Sequence, residues 1–412
     1  MFGKNISLNK KNLDNFFFHI LCLIPWFLVS GPFLSDLFQI LISLYFLYKV
    51  FFEKNWNLLN KNFFLFFLAF YFFLVLNSLF NSQQFISIKS ALPFIRFGIF
   101  ILAVEYLIKN NFNQISKLFY SLLILFIILF IDSIFQKVFG YNIIGIQSYS
   151  DVRISSFFMD ELILGSFLIK IIPLIFMLIF YTNLQKKCTY LFIILLAGSV
   201  PIFLSAEKSS FILFVIFSIL FLLVYPKKLL YKILTIFIFS LLLMGLFYTN
   251  PDTKKRLITQ TLYNSVYGKY IFSQVHHSHF NTAYKMFLDK PIIGHGPKTF
   301  RIKCSEKKFS YNNLSCSTHP HNFYIQLLAE TGIIGFLFLL IFYFYLLGSF
   351  IRNLNNYLKK KIDYSEYFSL LNLVLIFLPI STSGNLFNNW NSTIYSLAIG
   401  FYFFAKNKNI KS

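Results

Sequence analysis

The chain has 412 residues, 57% of them hydrophobic and only 13% charged, where a soluble domain carries about a quarter charged. Phe alone supplies 59 residues, and so little polar surface excludes a soluble enzyme. The net charge of +22 would suggest nucleic acid in a soluble protein. No basic block with interleaved polar residues and no zinc-finger or RNP-like pattern is present, so no nucleic-acid partner is expected.

Twelve apolar runs, each near the ~20 residues that cross a bilayer, predict transmembrane helices. They fall at 16–34, 36–52, 62–80, 91–108, 116–138, 161–182, 189–204, 210–226, 229–249, 322–348, 365–383 and 391–405. Their continuous apolarity excludes the alternation of a β-barrel. The predicted fold is therefore an all-α, polytopic membrane protein with about twelve transmembrane helices. The first run is not a cleavable signal peptide, for it lacks a small-residue cleavage site and eleven more runs follow.

Basic residues set the orientation. With a cytoplasmic N-terminus, twenty of the 37 Lys and Arg fall on the inner side, including Lys227, Lys228, Lys360 and Lys411. Only five, Lys89, Arg96, Lys137, Arg153 and Lys208, fall in short outer loops, as the positive-inside rule requires. Both termini are then cytoplasmic. The chain divides into nine membrane helices over 1–249, a periplasmic loop over 250–321 and three more membrane helices over 322–412.

The 250–321 loop carries the chemistry. It holds eleven Lys and Arg against Asp252, Asp289 and Glu306, and six of the seven histidines: His276, His277, His279, His295, His319 and His321. Phe280, Ala283, Tyr284 and Phe287, at i, i+3, i+4 and i+7, predict a short amphipathic helix on the membrane–water interface. It stops at Asp289-Lys290-Pro291, before the turn Gly294-His295-Gly296-Pro297. Cys304 and Cys316 share this loop, where an oxidising compartment allows a disulfide. The close histidines permit a zinc site, but no His-Glu-x-x-His motif or Cys/His set accompanies them, and no metal is expected.

Four stretches stand on one side of this predicted topology: Arg153 to Gly165, Leu204-Ser-Ala-Glu-Lys-Ser-Ser-Phe211, Pro291-Ile-Ile-Gly-His-Gly-Pro-Lys-Thr-Phe-Arg301, and His319-Pro-His-Asn to Gly335. Together they resemble the O-antigen ligase and O-antigen polymerase superfamily of bacterial envelope glycosyltransferases. The last stretch matches the ligase spacing through His321, Asn322, Gly332 and Gly335. Where ligase-like members carry Gly-Glu-Arg, this chain has Ala206-Glu207-Lys208. Where many carry an arginine before the amphipathic helix, it has His276, His277 and His279, with Arg256 and Arg301 the arginines left in the loop.

The resemblance implies an inverting, metal-independent and cofactor-free glycan transfer from undecaprenyl diphosphate at the periplasmic face of the inner membrane. Ligases deliver to the lipid A–core oligosaccharide, polymerases to another repeat unit. A lipid-linked glycan transporter or flippase is the rival from another class.

The chemistry assigns roles. A leaving diphosphate needs fixed cations, for which Arg153, Lys208 and one of Arg256 or Arg301 are the candidates, with Glu207 as ion-pair partner. An acceptor hydroxyl needs a general base, and His321 fits, with His276 and His279 as neighbouring substrate contacts. Glu330, a carboxylate inside a membrane helix, is functional or paired and is assigned to orienting a cation of the site. The plainer readings are an interfacial anchor for Arg153, a snorkelling lysine for Lys208 and a helix cap for His321.

Overall fold

The computed structural model describes residues 2–225, 229–266, 270, 273–359 and 361–408. Lys227, Lys228, Lys360 and Lys411 of the inner-side count lie outside these residues. The described chain is helical throughout, with one isolated bridge between Tyr141 and Gln147. It is a polytopic helical membrane protein.

Each of the twelve predicted runs falls on a helix. In chain order these are α1 (Phe2–Ser30), α2 (Pro32–Phe52), α3 (Asn62–Leu79), α4 (Gln84–Ala91) continued by α5 (Ile95–Asn110), α6 (Ile115–Phe139), α7 (Leu164–Leu178), α8 (Lys187–Leu204), α9 (Lys208–Val224) and α10 (Leu229–Thr249). After the short helices of the 250–321 segment come α15 (Phe323–Leu358), α16 (Tyr364–Ile376) and α17 (Asn389–Lys408). Nine of these helical stretches among the described residues are long and apolar enough to cross a membrane. The other three are corrected downward. The α9 helix is shorter, α16 has only 13 residues, and α17 opens on the polar Asn389, Asn391, Ser392 and Thr393.

Burial orders the bundle. Every α7 residue except Ser166 is buried, so α7 is the central helix. In α10 only Thr235 is buried, and its apolar side chains look outward, as a lipid-facing helix requires. The α17 helix packs along α5 and α16. The predicted 365–383 run overreached: α16 ends at Ile376, and Phe377 to Asn388 form an irregular connection.

The 250–321 segment folds into α11 (Pro251–Lys254), a π-helical turn (Lys255–Thr259), α12 (Gln260–Val266), α13 (Gln274–Asp289) and α14 (Phe300–Lys303). The α13 helix is the predicted amphipathic one, capped by Ser273, whose side chain accepts from the His276 amide. Its partner differs from the expectation. Ala283 and Met286 pack with Phe300, Cys304, Phe309 and Ala329, over the start of α15, and Phe280 is buried too, while Tyr284 and Leu288 stay exposed. The helix is thus docked on protein along one face. Cys304 and Cys316 are disulfide-bonded and close the loop behind it.

One backbone device fixes this segment to the bundle. The α15 helix is interrupted at Gly332, which adopts φ 63°, ψ −163°. The turn after α13 lies against the interruption: the His295 and Gly296 amides donate to the Ala329 and Glu330 carbonyls at 3.2 and 2.7 Å, and the Ile333 amide donates to the Pro291 carbonyl at 2.8 Å. Backbone groups freed by the break are so re-paired, which the membrane interior demands. A Cβ at Gly332 would collide with the Ile292 carbonyl, and its φ already disfavours any side chain. Gly332→Ala is expected to cost at least ~1–3 kcal/mol. A lowered melting temperature of the detergent-solubilised protein would register it, and an unchanged melting curve would refute the clamp.

Candidate active site

The Ser205–Lys208 turn between α8 and α9 is the first half of the site. Ala206 sits in the left-handed region at φ 52°, which aims the Glu207 side chain back at the start of α7. There its carboxylate accepts from the Gly165 and Ser166 amides at 2.7 and 3.1 Å and from Ser210 Oγ at 3.0 Å. A carboxylate on exposed amides at a helix start is favoured by the helix dipole. Burial pushes the Glu207 carboxyl upward, opposed by Arg153 and by its hydrogen-bond donors.

Two arginines grip the same turn through carbonyls rather than carboxylates. Arg153 Nε donates to the Ser205 carbonyl at 3.4 Å, and Nη2 to the Leu162 carbonyl at 2.7 Å. Arg256 Nε donates to the Ala206 carbonyl at 3.1 Å. The half-buried Lys208 makes neither a hydrogen bond nor an ion pair among the described residues, and it lies within electrostatic reach of Arg256. Burial lowers the Arg153 guanidinium from its ordinary value, while Glu207 opposes the shift; an arginine remains charged regardless. Three cations therefore converge with donors to spare. Arg256, not Arg301, completes this set.

The second half is a cluster of four histidines. His321 lies 5.4 Å from His276, 5.4 Å from His279 and 4.2 Å from His319 between ring centroids. Its backbone is held in the left-handed region at φ 60°, and Ser317 Oγ stands 3.2 Å from its Nε2. The clamp on it comes from the α16–α17 connection. The Ser383 amide donates to the His321 carbonyl at 2.9 Å. Asn322 caps α15 by accepting from the Tyr324 and Ile325 amides, and its own amide group donates to the Pro379 and Ser381 carbonyls at 2.7 and 3.1 Å. His321 thus precedes the cap and does not serve as the cap.

Burial, reinforced by the neighbouring histidines, lowers His321 to about 3. Burial also lowers His276, His319 and His295 to about 4. The unfolded chain, with histidines near 6.5, binds more protons than the folded one between roughly pH 4 and 6.5, so stability falls as pH drops through that window. Melting temperature measured from pH 7.5 to 4.5 should decline, and a flat profile would contradict the buried cluster. Among the described residues no three His, Cys, Asp or Glu side chains converge in a geometry that would hold a metal ion.

The two halves lie within electrostatic reach of one another, because Lys208 is among the charges that depress His276. Arg301 stands apart from the Arg153 set: it reaches His319 and shares its surroundings with Lys298 and Glu330. Glu330 itself is fully buried. It accepts from the Phe300 amide at 3.0 Å and from Gln326 Nε2 at 2.9 Å, and Gln326 continues to Asn385. Its direct partners are thus backbone and amide groups, and it fixes the 298–300 turn rather than gripping a guanidinium.

Sequence reasoning missed three contributors. Lys170, buried in α7, donates to the Ser166 carbonyl and hydroxyl at 2.6 and 3.0 Å, beneath Glu207. Asp132 and Gln136 of α6 hold the 153–156 loop through Ser156 and the Ser155 and Ser156 amides. The Pro379–Asn388 connection holds His321. Polar residues inside apolar runs were the available signal for the first two.

Residues 190–340 match the family model described as O-antigen ligase. Over this stretch the chain is similar to O-antigen ligases. The matched stretch runs from α8 into α15, so it contains Lys208, Arg256, the histidine cluster and the Gly332 break, while Arg153 and the 379–388 clamp lie outside it. O-antigen ligase domains belong to glycosyltransferase-like envelope enzymes. No curated protein matches the chain at a significant level.

Proposed function

We propose that this protein transfers a glycan from undecaprenyl diphosphate to the lipid A–core oligosaccharide, as an O-antigen ligase, at the periplasmic face of the bacterial inner membrane. The observation that carries this reading is a buried, backbone-clamped His321 that, through its neighbour His276, is within electrostatic reach of a group of cations, Arg153, Lys208 and Arg256, that form no direct ion pair among the described residues. In the reaction, an acceptor hydroxyl oxygen attacks the anomeric carbon and its proton passes to His321. The bond from that carbon to the diphosphate oxygen breaks with inversion. The departing undecaprenyl diphosphate keeps the electron pair, and Arg153, Lys208 and Arg256 stabilise its charge. His276 and His279 line the approach, and no step uses a metal.

Deleting the gene discriminates ligation from polymerisation, the second activity the family supports. A missing ligase leaves surface glycan absent while lipid-linked polymer accumulates. Single repeats capping the core would instead identify a polymerase. Orientation has its own check: Asn313→Cys should react with an impermeant thiol reagent once the outer membrane is permeabilised. Protection of that thiol in intact spheroplasts would reverse the proposed topology.

A further inference from the structure

Between α14 and α15 the chain forms no regular helix, yet three consecutive residues of this stretch each touch one of the clustered histidines. Burial lowers His279, and a hydrogen bond between its ring and the Cys316 backbone opposes that shift. Ser317 Oγ stands 3.2 Å from His321 Nε2. Thr318 Oγ1 stands 2.9 Å from His319 Nδ1. The fourth ring, His276, is met instead by Ser273 Oγ, at 2.8 Å, from the start of its own helix.

Little else holds this strap in place. The turn before it is closed by Ser315 Oγ, which accepts from the Tyr311 and Asn312 amides at 2.7 and 2.8 Å, and is tied to α13 by the Asn312 side chain, which donates to Ser278 Oγ at 2.8 Å. Residues 316–320 themselves make no backbone-to-backbone hydrogen bond among the described residues. The covalent tie is the bond from Cys316 to Cys304, across a separation of 12 residues. Cys304 is buried beside Ala283, Met286 and Phe300, and Phe300 is bonded to Glu330 of α15. The bridge therefore carries the position of a packed core out to the strap. Cross-linking removes freedom from the loop that it closes, and a stretch without ladder bonds is otherwise the first to open.

We propose that the Cys304–Cys316 disulfide is a positioning element for the transfer reaction: it holds residues 316–318 against His279, His321 and His319, and the chain gains a working base only when the bridge is closed. The inference rests on His321 being the base, as proposed above. Closure is an exchange. The two thiols give up two electrons and two protons to the disulfide of an oxidised exchange protein, which departs as a dithiol. Cys316 is exposed and open to such a partner. Arg153, Lys208 and Arg256 belong to the other turn, so the bridge governs turnover and not the grip on the donor.

The full-length protein tests this with Cys304→Ser/Cys316→Ser, Ser317→Ala and Ser317→Thr. The serine pair should lower kcat about ten- to a hundredfold, the usual cost of misplacing a reacting group by ~1 Å, and leave KM for the lipid-linked donor near wild type. Wild type opened by a phosphine reductant should show the same loss and recover it on reoxidation with oxidised glutathione, a comparison that stands even where the serine pair folds poorly. Ser317→Ala, with the bridge intact, should lower kcat, and Ser317→Thr, which keeps the hydroxyl, should restore it. Labelling with diethyl pyrocarbonate, read residue by residue by mass spectrometry, needs no turnover. His279 and His321 should react faster once the bridge is open, while the exposed His19 reacts equally in both forms. Wild type that transfers no glycan would refute the proposed function, and the labelling would still decide whether the bridge holds the histidines. Equal labelling of the open and closed forms would overturn the inference. So would an unchanged kcat in the bridge-free protein, which would leave the disulfide a staple of the fold alone.

Discussion

Replacing His321 by alanine is expected to reduce glycan transfer by about 10²–10⁴-fold, the usual contribution of general-base catalysis, while the protein still inserts and folds. The ring sits at a carbonyl-anchored, left-handed residue, so its position does not depend on substrate. Alanine removes the ring but leaves the Ser383 and Asn322 contacts, which use backbone and the neighbouring side chain. The pH profile gives a second readout. With His321 lowered to about 3 by burial and its histidine neighbours, the base stays unprotonated as pH falls from 7 to 5. An exposed histidine near 6.5 would lose most of its basic form over that range. Transfer limited by this group should therefore hold steady to pH 5 for as long as the protein remains folded. His276→Ala and His319→Ala should be milder. Purified enzyme with a lipid-linked donor, assayed with and without a strong chelator, decides the mechanism: full activity of His321→Ala, or zinc-dependent recovery of a chelated wild type, would sink it.

Removing a cation from the 204–208 turn should have a comparable effect. Taking one partner from a buried charged contact costs about 2–5 kcal/mol, so Lys208→Ala is expected to abolish visible transfer. Among the described residues the Lys208 ammonium makes no bond that would hold the turn, whereas Arg153 and Arg256 each hold a carbonyl of that turn. Lys208→Ala should therefore leave the melting temperature near wild type, and Arg153→Ala should lower it. Lys208→Arg should retain or improve activity, because a guanidinium can grip phosphate through two parallel bonds. Normal transfer by Lys208→Ala would remove this residue from the diphosphate site.

The helices were legible because continuous apolarity admits few alternatives in a bilayer. Their ends were less so. The Phe377-Leu-Pro-Ile380 stretch reads as membrane helix by hydropathy, yet Pro379 cannot continue one, and its carbonyl is needed by Asn322. The spacing from Phe280 to Phe287 correctly gave a helix but not its partner, because a period specifies which face is apolar and not what covers it. Local motifs singled out His321 and Lys208 as candidates, and left Arg256 and Arg301 as alternatives. The separation of Arg301 from Arg256 was not readable there. It depends on the Gly294–Lys298 turn docking against Asn77, Ser87 and the Gly332 break, contacts that span as many as 216 residues. Glu330 was expected to orient a cation, whereas its hydrogen bonds come from the Phe300 amide of that turn and from Gln326 one helical turn before it.

The clamp on His321 has a bearing on biosynthesis. The groups that hold the His321 carbonyl and the Asn322 amide come from residues 379–383, some sixty positions later in the chain. A nascent polypeptide that has already exposed its histidines and arginines still lacks the contacts that position His321. On the proposed mechanism, the geometry around His321 closes only when the last pair of helices has been threaded into the bilayer, so long-range closure at the end of synthesis would keep a partly inserted chain silent toward a lipid-linked donor.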